Sequence, residues 1–173
     1  EVGAGLQLSP NAVQVLNQLG LAAALSPYVF RPNNAIMRHY QSGKNYFSVP
    51  LGDSCLQRFG AEYWHIHRAD LHRVLYQACM QNQVNLRLNS PISTYVHGED
   101  NHSVDIVLND AEKIQYDLVI GADGIHSKIQ TTLLHNLGLS SKPRFTGQVA
   151  WRGTVKTKDL PPNLIEPSAT LWV

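Results

Sequence analysis

Cysteine is scarce: the 173 residues hold two, Cys55 and Cys79. That is too few for a disulfide framework, so a reducing compartment is expected, the cytoplasm by default. No apolar run approaches the roughly 20 residues of a membrane-spanning helix. Charge of one sign is also missing. Lys and Arg total 14 against 13 Asp and Glu, a net charge of +1, and the basic residues form no single run, which argues against a nucleic-acid footprint. There is no internal repeat and no low-complexity segment. The opening residues, Glu1-Val2-Gly3-Ala4-Gly5, contain no methionine, signal peptide or tag. What is present, 43% hydrophobic and 16% charged residues, describes a soluble globular chain. Its length suits one domain with a real core, or part of a larger one.

Local patterns alternate between helical and extended. Ser9-Pro10-Asn11 reads as a helix start, with Ser9 as N-cap and Pro10 at the first helical position. Val13, Leu16 and Leu19 form its apolar face, Gly20 its stop, and Leu21 to Leu25 a further apolar turn. Residues 35–40 and 45–49, separated by Ser42-Gly43-Lys44, read as a β-hairpin followed by an irregular return. Leu71, Val74, Leu75, Ala78 and Cys79 fall on one helical face, with Asp70 as the expected N-cap. Residues 84–88 read as a short strand. Residues 92–96, 103–108 and 113–116 read as a β-meander. A helix is expected over about 126–137 with Gly138 as its stop, then β-structure over 147–155 and 169–173. The last run looks like a strand without a partner, which reads as the edge of a longer protein.

The stretch Asp117-Leu-Val-Ile-Gly-Ala-Asp-Gly-Ile-His-Ser-Lys128 carries the most information. Leu118-Val119-Ile120 reads as a buried strand that ends in the turn Gly121-Ala122-Asp123-Gly124 and opens a helix. Ligands collect at the carboxyl ends of strands in α/β sheets, where glycine admits close backbone approach and an acidic side chain can hold a ribose hydroxyl. A turn with no ligand accounts for the same pattern.

Four segments together resemble the group A FAD-dependent aromatic monooxygenases, the salicylate hydroxylase-like members of the p-hydroxybenzoate hydroxylase fold. They are residues 1–12 (Glu-Val-Gly-Ala-Gly-Leu-Gln-Leu-Ser-Pro-Asn-Ala), residues 66–72 (Ile-His-Arg-Ala-Asp-Leu-His), the 117–127 stretch, which looks like the family's DG motif, and residues 145–153 (Phe-Thr-Gly-Gln-Val-Ala-Trp-Arg-Gly). They come in the family's order and at its approximate spacing. The resemblance implies an α/β (α+β mixed) fold. It would be part of a Rossmann-like FAD-binding domain with a β-meander, intermingled with a β-sheet substrate domain. The division it implies is 1–27 and 65–140 for the FAD domain, 28–64 for a substrate-domain hairpin and 141–173 for the start of the substrate-domain sheet. No Gly-x-Gly-x-x-Gly phosphate loop occurs in the chain, and the family's later Gly-Asp motif is missing. An internal fragment is the expectation.

The resemblance also assigns roles. Arg68 would reach FAD, its planar donor fork suiting phosphate and ribityl oxygens. Asp123 would serve the pyrophosphate region, with Gly124 admitting close approach. Ala4, Gly5 and Gln7 would run beside the flavin ring, and Val96 near the adenine. Trp151 and Arg152 would begin the substrate side, Arg152 facing an anionic group. Each of these residues also has a purely structural reading. His65, His67 and His72 invite a metal site, but no acidic or cysteine partner shares their spacing. Cys79 reads as core, and no Ser/His/Asp order stands out. The implied activity is hydroxylation of an aromatic, salicylate-like substrate with O2 and NADH or NADPH through a flavin C4a-hydroperoxide. The alternatives are a truncated, inactive fragment that retains no FAD, or a related flavin-dependent reductase or epoxidase. A homo-oligomer is compatible with all of these.

Overall fold

Ser9 and Pro10 open the first helix. Ser9 keeps an extended backbone at the N-cap and Pro10 takes the first helical turn, where a missing N–H leaves no bond unmade. The computed structural model describes residues 4–98, 102–139, 143–151, 153–164 and 166–173. In chain order the elements are β1 (Gly5–Leu8), α1 (Pro10–Gln18), α2 (Ala22–Leu25), β2 (Val29–Phe30), β3 (Asn34–Arg38), β4 (Asn45–Pro50) and α3 (Gly52–Phe59). They continue with β5 (Trp64–His67), α4 (Arg68–Gln81), β6 (Ile92–His97), β7 (Val104–Leu108), β8 (Lys113–Tyr116), α5 (Lys128–Asn136) and β9 (Ser168–Trp172). The mixed α/β character expected from the sequence is the one observed. Two compact units divide the chain, Glu1–Asn85 with Trp151–Val173, and Leu86–Ala150.

In the first unit β5 runs between β1 and β2, antiparallel to both. Alternation along β5 decides what each face does. Trp64 and Ile66 point into a core with Val13 of α1, Leu25 of α2, Ala61 and Val74 of α4, and Leu6, Leu8 and Val29 pack against it. Burying each large apolar side chain stabilises the fold by about 1.5–3 kcal/mol. The opposite face carries Gly5 and Gln7 from β1, Phe30 from β2, and His65 and His67 from β5. A second sheet has the order β4-β3-β9. Arg38 fastens it, with hydrogen bonds of 2.8 Å to Asn45 and 2.8 Å to Glu166. Its guanidinium also lies 5.7 Å from the Trp172 ring centroid.

The second unit is the expected meander, β6-β7-β8, fully antiparallel. Tyr95 and Leu108 are buried, and α5 lies near β6, where the Thr94 and Thr132 hydroxyls approach to 3.4 Å.

Several expectations need correction. Leu118-Val119-Ile120 forms no strand; no segment pairs with it among the described residues, and Leu118 and Ile120 are 74% and 80% exposed. Residues 84–88 are irregular as well, bounded by left-handed residues Gln83 (φ 57) and Asn89 (φ 54) that turn the chain at each end. The described part of 147–155 forms no strand among the described residues. The run at 169–173, read as a strand without a partner, has one: β9 lies parallel to β3 with Ala35 opposite Ala169. The irregular return after the hairpin contains α3, stopped by Gly60 at φ 71. Finally, α4 starts before Asp70, because β5 passes into it without a loop. His67 is its N-cap, accepting from the Ala69 N–H at 3.3 Å, and Asp70 pairs instead with Arg73 at 2.6 Å.

Candidate functional site

The two units each carry a set of the singled-out residues. In the first, antiparallel pairing of β1 with β5 brings Ala4, Gly5, Gln7 and Arg68 together. Gly5 faces His67 and Gln7 faces His65 across the ladder, and the Ala4 carbonyl accepts from the Arg68 N–H at 3.1 Å. Arg68 is exposed at the first position of α4, a 14-residue helix. A cation there sits against the positive end of the helix dipole. The N–H groups of a helix start suit an anion, as does a guanidinium fork.

Over this sheet face lies a cleft of about 530 Å³ lined by residues that include Gly5, Gln7, Phe30, His65, His67, Thr154 and Val155. A Cβ on Gly5 would meet nothing within 4 Å, so glycine leaves the floor of the cleft open. His65 and His67 share this face, as their spacing requires. Burial holds the His65 imidazole below its ordinary pKa. No cluster of three His, Cys, Asp or Glu side chains placed to hold a metal occurs among the described residues.

In the second unit, the turn after residue 120 is organised by Asp123. Its Oδ1 accepts from the Ser127 hydroxyl at 2.5 Å, and its Oδ2 accepts from the N–H groups of Lys128 at 2.7 Å and Ile129 at 3.2 Å. The Ser127 bond, above all, holds the carboxyl below its ordinary pKa of 3.8. Desolvation opposes that, and the backbone N–H bonds reinforce it. Gly124 sits at φ 77, a left-handed conformation that side chains strain. Gly121 is glycine for a different reason: a Cβ there would lie 2.7 Å from Ile129 Cγ2.

A cleft of about 570 Å³ borders this turn, lined by residues that include Tyr95, His97, Leu118, Asp123, Gly124 and Ile129. Val96 is 52% exposed on β6, opposite Asp105. Trp151 belongs to the first unit and is 94% exposed. Arg152 lies outside the described residues. Sequence reasoning missed the Asp123–Ser127 pair as a cap and His65 as a cleft residue. Ser127 followed by a helical pattern was the available signal for the first. The second had none.

No family model matches the chain. Curated relatives do. The chain is 35% identical over all of its 173 residues to the 3-amino-4-hydroxybenzoate 2-monooxygenase PtnB3 of Streptomyces platensis, covering 41% of that protein. It is 30% identical to the 3-hydroxybenzoate 6-hydroxylase 1 of Aquipseudomonas alcaligenes, across 99% of the chain and 42% of the relative. The fold matches Klebsiella pneumoniae HpxO, solved with FAD and uric acid, with a TM-score of 0.69 and 23% identity over 85% of this chain and 36% of that one. A salicylate hydroxylase substrate complex matches with a TM-score of 0.67 and 22% identity, over 83% and 34%. The chain spans about two fifths of the length of the curated relatives it matches. Along its whole length the chain is similar in sequence to aromatic monooxygenases and hydroxylases, and its fold matches those of HpxO and salicylate hydroxylase.

Proposed function

We propose that the protein to which this chain belongs is an FAD-dependent, NAD(P)H-using monooxygenase that hydroxylates an aromatic, salicylate-like substrate. The observation that carries this reading is the β1–β5 face, where an open glycine floor adjoins an exposed arginine at a helix N-terminus. These residues fit FAD: a flat ring needs the room left at Gly5, and a phosphate or ribityl oxygen needs the donors at Arg68. Bound FAD supplies the redox chemistry, taking reducing equivalents from NADH or NADPH and passing one atom of O2 to an electron-rich ring.

The chain's own residues bind and orient. Arg68 holds an anionic part of the cofactor, reinforced by the helix dipole. Ala4 and Gly5 let backbone lie against the ring, and the Gln7 amide offers a donor and an acceptor at its edge. Asp123 acts chiefly by fixing its turn, because three of the roughly four acceptor positions of a carboxylate are already taken. Gly124 then admits close approach, and Val96 offers backbone contacts to the adenine. Trp151 supplies an aromatic wall on the substrate side, and Arg152 a cation for a substrate carboxylate.

Full-length protein purified without added cofactor tests this. The expected result is a yellow sample absorbing near about 450 nm, as oxidised flavin does. A panel of hydroxybenzoates should stimulate NAD(P)H oxidation, with a product heavier by one oxygen. A colourless protein that takes up no FAD removes the flavin reading. Flavin-dependent NAD(P)H oxidation with no oxygen gained in any product replaces hydroxylase with reductase.

A further inference from the structure

The His65 Nε2 atom is buried and has no hydrogen-bond partner, the only such side-chain nitrogen or oxygen among the described residues. Folded proteins pair nearly all of their buried polar groups, and the exceptions mark a site or an unseen partner. His65 lies on the central strand of its sheet, on the face turned away from the core. Gln7 stands opposite it on one side and Phe30 on the other. The Phe30 ring is tilted at 6.1 Å and the Tyr63 ring meets it edge-on at 5.6 Å. The 530 Å³ cleft over this face is lined in part by His65 itself, with Gly5, Gln7, Tyr28 and His67. Among the described residues, no carboxylate lines it.

The geometry points to His65 as the residue that holds the edge of a planar ring ligand in this cleft, bonding through Nε2 to a ring N–H or carbonyl. This rests on the flavin reading and deepens it, since an isoalloxazine carries both groups along one edge. Phe30, 46% exposed, stands beside the imidazole at the cleft. Burial keeps the imidazole neutral near pH 7, so it brings one donor and one acceptor. Gln7, its cross-strand neighbour, extends the same polar strip.

The test uses full-length protein with ¹⁵N-labelled histidine, titrated with FAD as the probe. The His65 Nε2 resonance is expected to move from an unbonded to a hydrogen-bonded position on saturation. His65→Leu should weaken FAD binding about five- to tenfold, the worth of one ordinary hydrogen bond. His65→Gln should recover part of that. The melting temperature of FAD-free His65→Leu should hold or rise, because an unpaired polar group has been removed. An unmoved resonance together with unchanged affinity in the variant overturns the inference and leaves the flavin reading standing. A lowered melting temperature of the FAD-free variant overturns it in favour of a structural role. Wild-type protein that takes up no FAD overturns both. Should His65→Leu fail to fold, the wild-type titration decides alone.

Discussion

The Asp123 carboxylate and the Ser127 hydroxyl, 2.5 Å apart, together take up the first three free N–H groups of α5. Asp123 accepts from Lys128 and Ile129, and Ser127 accepts from Gln130 at 2.9 Å while donating to Asp123. A helix start leaves its first N–H groups without intrahelical partners, and this pair answers three of them at once. Ser127→Ala removes the Gln130 acceptor and the donor that steadies Asp123. Loss of such a cap costs about 0.5–2 kcal/mol. Denaturant unfolding should show that loss, and amide exchange should quicken first at residues 128–130.

The same pair sets an acid response. The folded-state pKa of Asp123 is lowered, first by the Ser127 hydroxyl. A lowered carboxyl stabilises the fold above its ordinary value and loses that contribution as pH falls through the folded value. Carbon-detected titration should therefore find the Asp123 midpoint below 3.8. Exchange at the start of α5 should rise only in strong acid. Asp123→Asn should flatten that rise, and a midpoint at or above the ordinary value would contradict the cap.

Much of the fold was legible because its causes are local. Ser9-Pro10, the hairpin turn at 42–44 and the Leu71-to-Cys79 face each declare themselves within a dozen residues, and the meander within 25. The errors fall where partners decide. Leu118 to Ile120 has the composition of a buried strand, but a strand exists only beside another, and Leu118 and Ile120 stand exposed. The reverse holds at 169–173, where β3, more than 130 residues earlier, supplies the ladder. At the candidate site, Arg68, Gly5 and Gln7 were singled out by motif, and their adjacency came from the β1–β5 register. In the sequence His65 stood out only with His67 and His72, as a metal set lacking an acidic or cysteine partner. Its interest arises from burial without a partner, which only coordinates reveal.

Gly121 is a packing requirement. Any Cβ there meets Ile129 at 2.7 Å and 2.9 Å, and both atoms lie close to the helix backbone, where little can give. Gly121→Ala should destabilise the protein by about 1–3 kcal/mol, the range of overpacked sites. Pairing it with Ile129→Ala should restore part of the loss, and the double-mutant cycle in urea measures the coupling. Gly5→Ala, with open space around it, should leave the urea midpoint unchanged.

Glu62 is worth more to Trp64 than to Arg31. Its Oε2 accepts from Trp64 Nε1 at 2.6 Å and from Arg31 Nε at 2.9 Å. Burial raises its pKa, and the Trp64 and Arg31 bonds outweigh that to leave it lowered. The Arg31 pair is partly solvated on both sides and contributes little. Trp64 is 3% exposed, so Glu62→Leu strands a buried N–H, at about 1–3 kcal/mol. Glu62→Gln keeps an acceptor and should lose much less. Stability curves and the Trp64 emission maximum distinguish the two.

Arg68 should act on cofactor affinity through its guanidinium fork. It is the first residue of α4, at the helix end whose dipole favours an anion. Removing the guanidinium takes a charge-assisted partner from bound FAD. Arg68→Ala should therefore weaken FAD binding about ten- to a hundredfold. Arg68→Lys retains the charge and loses the planar fork, so its affinity should fall between the two. High salt should narrow the gap between wild type and Arg68→Ala, because screening weakens an exposed cation. Fluorescence titration of FAD at two ionic strengths, beside thermal unfolding of the FAD-free proteins, checks all three expectations. A variant that loses stability and affinity together would mark Arg68 as a structural residue of the β5–α4 junction.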